Sequence, residues 1–194
     1  KDLLLRQLIV KGRRFSEDDK LRLAERERQV IAEVLPAYRR AADEGQVELS
    51  TSPYYHPILP LLCDTAAHHE AVPGAPLPRP FRHPEDAADQ IQRGIERHAE
   101  VFGRPPAGMW PSEGAVSDEV AGLAARAGLK WIASDEGILE RSVNRPLHRD
   151  SRGTVHPVDL LYRPWVRHTP GGAVHVLFRD RALSDLIGFS YSSI

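Results

Sequence analysis

Three short stretches carry the side chains best suited to chemistry. "GMWPSEGAVSDE" (108–119) sets Glu113 behind an aromatic–proline pair and ahead of a glycine. "WIASDEG" (131–137) ends in Asp135 and Glu136. "VLFRD" (176–180) ends in Arg179 and Asp180. A fourth, "STSPYYHP" (50–57), brings His56 behind two tyrosines. Each follows a run that reads as a strand, so the polar groups recur at the C-terminal ends of successive strands. In parallel α/β barrels the active site lies at that end. Taken singly, each has a plainer reading. Glu113 would be a helix cap, Trp110 a core residue, and Ser134–Glu136 a turn cap. His56 would be a hydrogen-bonded structural histidine, and Arg179 and Asp180 a local ion pair. Their joint recurrence is the functional signal.

Other chemistries lack their patterns. Neither the dinucleotide fingerprint nor the P-loop occurs, so no glycine-rich phosphate cradle is expected. His-Glu-x-x-His is absent and no two histidines stand four apart. His68 and His69 would point about 100° apart on a helix, a poor arrangement for one metal. No metal or other cofactor is expected. No Gly-x-Ser-x-Gly nucleophile elbow is present. Carboxylates beside aromatic rings remain, the combination used by sugar sites, where acids act at the anomeric centre and rings pack on sugar faces.

The elements that must position these groups follow from spacing. Ser16 with Glu17, Asp18 and Asp19 gives a cap and an acidic first turn for a helix running to about Glu44. Val30, Ile31, Val34, Leu35 and Tyr38 form its apolar stripe, and Pro36 is expected to kink or interrupt it. "QVELSTS" (46–52) alternates as a strand, and three prolines in 53–60 make a rigid loop at its end. Five prolines in 71–84 mark a second loop, with Pro84 suited to the first turn of the next helix. There Ala87, Ile91, Ile95, His98 and Phe102 repeat at helical spacing, and Gly103 ends it. "PAGMWPSE" (106–113) is a short strand candidate that runs into a turn, and Ser117 caps a helix closed by Gly128. Residues 129–137 and 174–178 are further strands, with 141–172 a loop or hairpin insertion between them. Helix and strand alternate throughout, which predicts parallel α/β architecture.

Composition bounds the partners. The chain has 194 residues, 41% of them hydrophobic, with 26 Lys and Arg against 27 Asp and Glu. No net field favours nucleic acid or an anionic membrane, and no stretch approaches the roughly 20 apolar residues of a membrane span. A neutral polar partner fits best. The single cysteine, Cys63, excludes an internal disulfide and a multi-cysteine zinc site, and points to a reducing, cytoplasmic setting. The chain opens at Lys1 without Met and closes on an apolar–aromatic run, so both ends are expected to be cut from a longer protein, with 1–194 one partial catalytic domain.

The blocks "GQVELSTSPYYHPILPLLCD", "GMWPSEGAVS", "AGLKWIASDEGIL" and "LFRDRALSDLIGF" resemble glycoside hydrolase family 57, the amylopullulanase and α-glucan-processing family, in its order and across most of 45–63, 105–140 and 174–192. The resemblance implies an incomplete (β/α)7 barrel of parallel strands and a mechanism that retains anomeric configuration. It implies Glu113 as the catalytic nucleophile, from the Trp-x-x-Glu-like block. Trp110 would line the site, His56 would contact substrate, and Asp135 would bind or support it; Arg179 and Asp180, from the strand-end reading, are further candidates for substrate binding. The substrate implied is an α-glucan with α-1,4 or α-1,6 bonds, either hydrolysed or transferred. Two blocks of the family are missing: the opening His-Gln-Pro strand, and the Asp-Gly-Glu block that carries its acid/base. The resemblance therefore implies an acid/base beyond Ile194, with Asp180 and Asp185 as lesser substitutes inside the chain. Two rival functions are a metal-dependent carbohydrate deacetylase on a related barrel and a non-catalytic α-glucan-binding module.

Overall fold

The computed structural model describes residues 2–191; Lys1 and residues 192–194, at the two ends expected to be cut, lie outside the described residues. The chain forms two compact units that meet in sequence between Glu48 and Leu49.

The first unit is a helical pair, α1 (Leu3–Lys11) and α2 (Glu17–Asp43). Ser16 and Asp19 form a reciprocal capping box: the Asp19 amide donates to Ser16 Oγ (3.1 Å) and the Ser16 amide to Asp19 Oδ2 (2.7 Å). Lys11 pairs with Asp19, and Arg26 with Asp2. One expectation is corrected here. Helix α2 continues through Pro36 to Asp43 without interruption, losing only the bond that a proline cannot donate. The stripe Val30, Ile31, Val34, Leu35 and Tyr38 lies on one helix but is exposed, Ile31 by 69%. The nine residues of α1 span only about 13 Å, too short to cover both ends of a 27-residue helix.

The second unit is an α/β layer around a mostly parallel sheet. After the loop at 53–58 come α3 (Leu59–Cys63), α4 (His68–Ala71) and α5 (Pro84–Phe102). Next come β1 (Gly108–Met109), a single turn at Ser112–Gly114, α6 (Asp118–Arg126), β2 (Trp131–Asp135) and α7 (Glu136–Val143). The short strands β3 (His148–Arg149) and β4 (Val155–His156) form a hairpin, followed by α8 (Val158–Leu161) and β5 (Trp165–Thr169). Then β6 (Gly172–Arg179) runs into α9 (Arg181–Asp185) and one wide turn at Leu186–Ser190. The sheet order is β1-β2-β6-β5; β1, β2 and β6 are parallel, and β5 returns antiparallel along β6.

Residues 46–52, expected as a strand, contribute only Thr51. It pairs in parallel with Met109: the Thr51 amide donates to the Gly108 carbonyl (3.1 Å), and the Thr51 carbonyl accepts from the Trp110 amide (2.8 Å). Val47, at 44% exposure, has no buried face to alternate against. The 141–172 segment is a structured insertion: the end of α7, a hairpin, α8, and a strand that extends the main sheet.

Helices α3, α5 and α6 bury Leu59, Cys63, Ile91, Val120 and Ala124 against Met109, Ile132 and Val174 of the sheet. A second cluster of Leu139, Val155, Leu160 and Leu161, with Trp165 and Phe178 against it, seats the insertion. Burying each such side chain contributes roughly 1.5–3 kcal/mol. Sixteen prolines leave long loops, yet these are pinned. Thr65 and Phe81 exchange two hydrogen bonds, and the His83 amide donates to Leu62 (2.8 Å) just before Pro84 opens α5. Among the described residues no helix is long and apolar enough to cross a membrane.

Candidate active site

Thr51, β1, β2 and β6 run in the same direction side by side, so the segments that leave them emerge along one edge of the sheet. His56 stands in the loop after Thr51. That loop is closed by the His56 amide donating to Pro53 (2.9 Å) and anchored to α5 by Tyr54 and Tyr55, whose amides donate to the carbonyl (3.1 Å) and side-chain oxygen (2.8 Å) of Gln90. Glu113 stands in the turn after β1. Ser134 Oγ, buried in β2, donates to the Gly114 carbonyl at 2.6 Å and ties this turn to the sheet.

Both residues hold left-handed backbone conformations, with φ of 58° at His56 and 57° at Glu113. For residues other than glycine this costs roughly 1–2 kcal/mol each, and such geometry gathers at functional sites. It turns both side chains outward and toward each other. His56 Nε2 lies 3.7 Å from Glu113 Oε1, with the two side chains 53% and 78% exposed. Glu113 is thus an accessible carboxylate on a fixed turn, free to meet a ligand.

Trp110, half-buried, starts the same turn. The guanidinium of Arg179, from the end of β6, sits 5.7 Å from the centre of its ring. Arg179 Nε also donates to Asp135 Oδ2 at 3.1 Å, and Arg181 pairs with the same carboxylate. Asp135 caps α7 by accepting from the Gly137 amide (2.9 Å). Burial pushes its carboxyl up, but hydrogen bonds from Arg181, Gly137 and Arg179 outweigh that and bring it from 3.8 down to about 2.

Asp180 faces the insertion. Its carboxylate, 6% exposed, accepts two 3.0 Å bonds from Arg149, one from the Tyr162 hydroxyl and one from the Leu183 amide (3.0 Å). Arg149 Nη2 also holds both oxygens of Glu136, at 2.8 and 2.6 Å. Burial raises the Asp180 carboxyl, while Arg149 and Tyr162 lower it further, leaving it below the usual range. The arginine is stabilised in its charged form, chiefly by Asp180.

Of the six site residues expected from sequence, His56 and Glu113 therefore meet, and Trp110, Arg179 and Asp135 form a second chain of contacts. Asp180 is taken up by Arg149 and Tyr162. The network residues Arg149, Tyr162 and Arg181 went unmarked in the sequence. Arg181 had a signal, as the cation following the Arg179–Asp180 pair. Arg149 had none, since its partners lie 13 and 31 residues away. Among the described residues no group of three or more His, Cys, Asp or Glu is arranged to hold a metal ion.

Residues 18–194 match the family model described as glycosyl hydrolase family 57. Several solved structures share the fold, among them the following three. A 4-α-glucanotransferase from Thermococcus litoralis is 19% identical (TM-score 0.54), with 86% of this chain and 21% of that one covered. The α-amylase AmyC from Thermotoga maritima is 18% identical (TM-score 0.56; 95% and 31% covered). A branching enzyme of the same family from Pyrococcus horikoshii is 20% identical (TM-score 0.54; 94% and 30% covered). The chain thus spans between a fifth and a third of the length of these structures. No curated protein matches it.

Proposed function

The chain belongs to glycosyl hydrolase family 57, and on that premise we propose that it supplies the nucleophile and part of the sugar-binding rim of an enzyme that cleaves or transfers α-glucosidic bonds with retention. The observation that carries this is the exposed Glu113 carboxylate, fixed by a left-handed turn beside His56 at the edge where the parallel strands end. α-Glucan is the substrate class because the structures that share the fold are a glucanotransferase, an α-amylase and a branching enzyme.

In this reading Glu113 attacks the anomeric carbon. A carboxylic acid about 5–5.5 Å away protonates the departing glycosidic oxygen, forming a glycosyl-enzyme ester. The same group, now a base, then takes a proton from water or from a sugar hydroxyl, which displaces Glu113 and gives hydrolysis or transfer. The turn holds the nucleophile in place before substrate arrives, sparing orientation entropy. Trp110 and His56 line the sugar, and Arg179 with Asp135 offers polar contacts at its edge.

The proton donor must be uncharged at working pH. Asp135, at about 2, and Asp180, below its usual range, are both held ionised by arginines, which argues against either as the acid. The family resemblance implies that the acid/base is an Asp-Gly-Glu aspartate outside these 194 residues, and the ionised state of Asp135 and Asp180 supports that reading. The test is turnover of maltooligosaccharides and pullulan by the whole protein and its Glu113→Gln form. A loss of at least about a thousandfold is expected. Equal turnover would remove Glu113 from the mechanism.

A further inference from the structure

Two tyrosines stand directly before His56. Tyr55 is 70% exposed and Tyr54 is 41% exposed, so neither is held by burial in a core. They are nonetheless braced. The rings meet edge to face, with centroids 4.7 Å apart at 79°. The Arg93 guanidinium lies 4.5 Å from the centre of the Tyr54 ring and 5.1 Å from that of Tyr55. Both backbone amides are fastened to Gln90, one turn before Arg93 on the same helix.

Such bracing holds a large aromatic surface against water, which is costly unless something covers it. A tyrosine restrained in advance loses little entropy when it binds. The occupant follows from position. Tyr55 is one residue, about 3.8 Å along the chain, from His56, whose ring reaches Glu113. Tyr55 thus shares a loop with the histidine that meets the group read as the nucleophile. An α-glucosyl ring has an apolar C–H face, which suits an aromatic ring, and a rim of hydroxyls, which suits the guanidinium of Arg93 and the tyrosine hydroxyls.

We propose that Tyr55, braced by Tyr54 and Arg93, is a stacking platform for a glucosyl unit of the substrate next to the bond that is cleaved. It rests on the reading of Glu113 as nucleophile of an α-glucan enzyme and adds a binding position to it.

The test is calorimetric binding of maltohexaose to the whole protein carrying Glu113→Gln, so that the sugar is not consumed. Adding Tyr55→Ala should weaken binding about tenfold, whereas Tyr55→Phe and Tyr55→Trp should stay within about threefold of the parent. Thermal unfolding of Tyr55→Ala should match the parent, since the ring is mostly exposed. Unchanged affinity in Tyr55→Ala, or equal losses in Tyr55→Ala and Tyr55→Phe, would overturn the platform while leaving the role of Glu113 standing. No maltohexaose binding by the Glu113→Gln parent would overturn both.

Discussion

His56 Nε2 and Glu113 Oε1 lie 3.7 Å apart, on loops that leave two neighbouring parallel segments of the sheet, and each residue sits in a left-handed backbone conformation. The separation exceeds a good hydrogen bond, and both groups face water. The contact therefore orients Glu113 more than it binds it. His56→Ala should lower kcat about tenfold, far less than the loss from Glu113→Gln, and His56→Gln should recover part of it. Steady-state kinetics on maltohexaose would check this. A loss in His56→Ala as deep as that of Glu113→Gln would make the histidine a reactive group instead.

The backbone at His56 gives a stability prediction of opposite sign. A φ of 58° costs an L-residue roughly 1 kcal/mol that glycine avoids. His56→Gly should therefore be about 1 kcal/mol more stable to urea than His56→Ala, although both lack the imidazole. Equal midpoints would show that the loop relaxes around alanine without strain.

The sequence revealed those features with a local cause. Caps at Ser16 and Ser117, the helix from Pro84 and the acids at strand ends all follow from residues within a few positions. The stretch 46–52 alternated like a strand, yet only Thr51 pairs, because pairing depends on a neighbour and not on pattern. The stripe on α2 has helical spacing, but spacing cannot say what covers it. The Arg149 network joins residues far apart in the chain through the insertion. No local pattern could pick this arginine out of a chain holding 26 basic residues.

Acid should expose the Asp135 cluster. Its folded value, about 2, lies below its ordinary 3.8, so the native state binds that proton less readily than the unfolded chain. The stability it contributes is complete above about pH 4 and is lost as pH falls through about 2. Arg179 and Arg181 are 40% and 53% exposed, so solvent screening reduces the contribution to about 1–2 kcal/mol. Urea midpoints between pH 5 and pH 2 should fall more steeply for wild type than for Asp135→Asn. Parallel slopes would refute the assignment.

Arg149 makes the insertion depend on one side chain. It holds Glu136 and Asp180, which are 15% and 6% exposed, and Asp180 also anchors Tyr162. Arg149→Met would leave two partly buried carboxylates without their cation, costing about 2–3 kcal/mol. Arg149→Lys should restore only part, since an ammonium cannot match the forked contacts. Hydrogen exchange should show faster opening at 148–156 in Arg149→Met, with α6 unchanged. Unaltered protection in the hairpin would mean that the Leu139–Val155–Leu160 cluster alone seats it.

Gly108 tests how the turn bearing Glu113 is held in register. It pairs with Trp131 across β1 and β2, and the indole lies directly over it. A Cβ built on Gly108 would fall 1.9 Å from one ring carbon of Trp131 and 2.2 Å from another, far inside contact distance. Trp131 would have to move, or β1 would have to withdraw from β2. Overpacking of this kind typically costs 1–3 kcal/mol, and occasionally more. Withdrawal of β1 would also shift Trp110 and Glu113, which follow it within five residues, and weaken the Ser134–Gly114 bond that fixes the turn. Gly108→Ala should therefore lower stability by about 2–3 kcal/mol and reduce turnover by at least tenfold at temperatures where the protein is still folded, with intrinsic Trp fluorescence altered. Full turnover in a destabilised Gly108→Ala protein would show that the indole yields and the turn stays in place, which would separate the packing of β1 from the placement of Glu113.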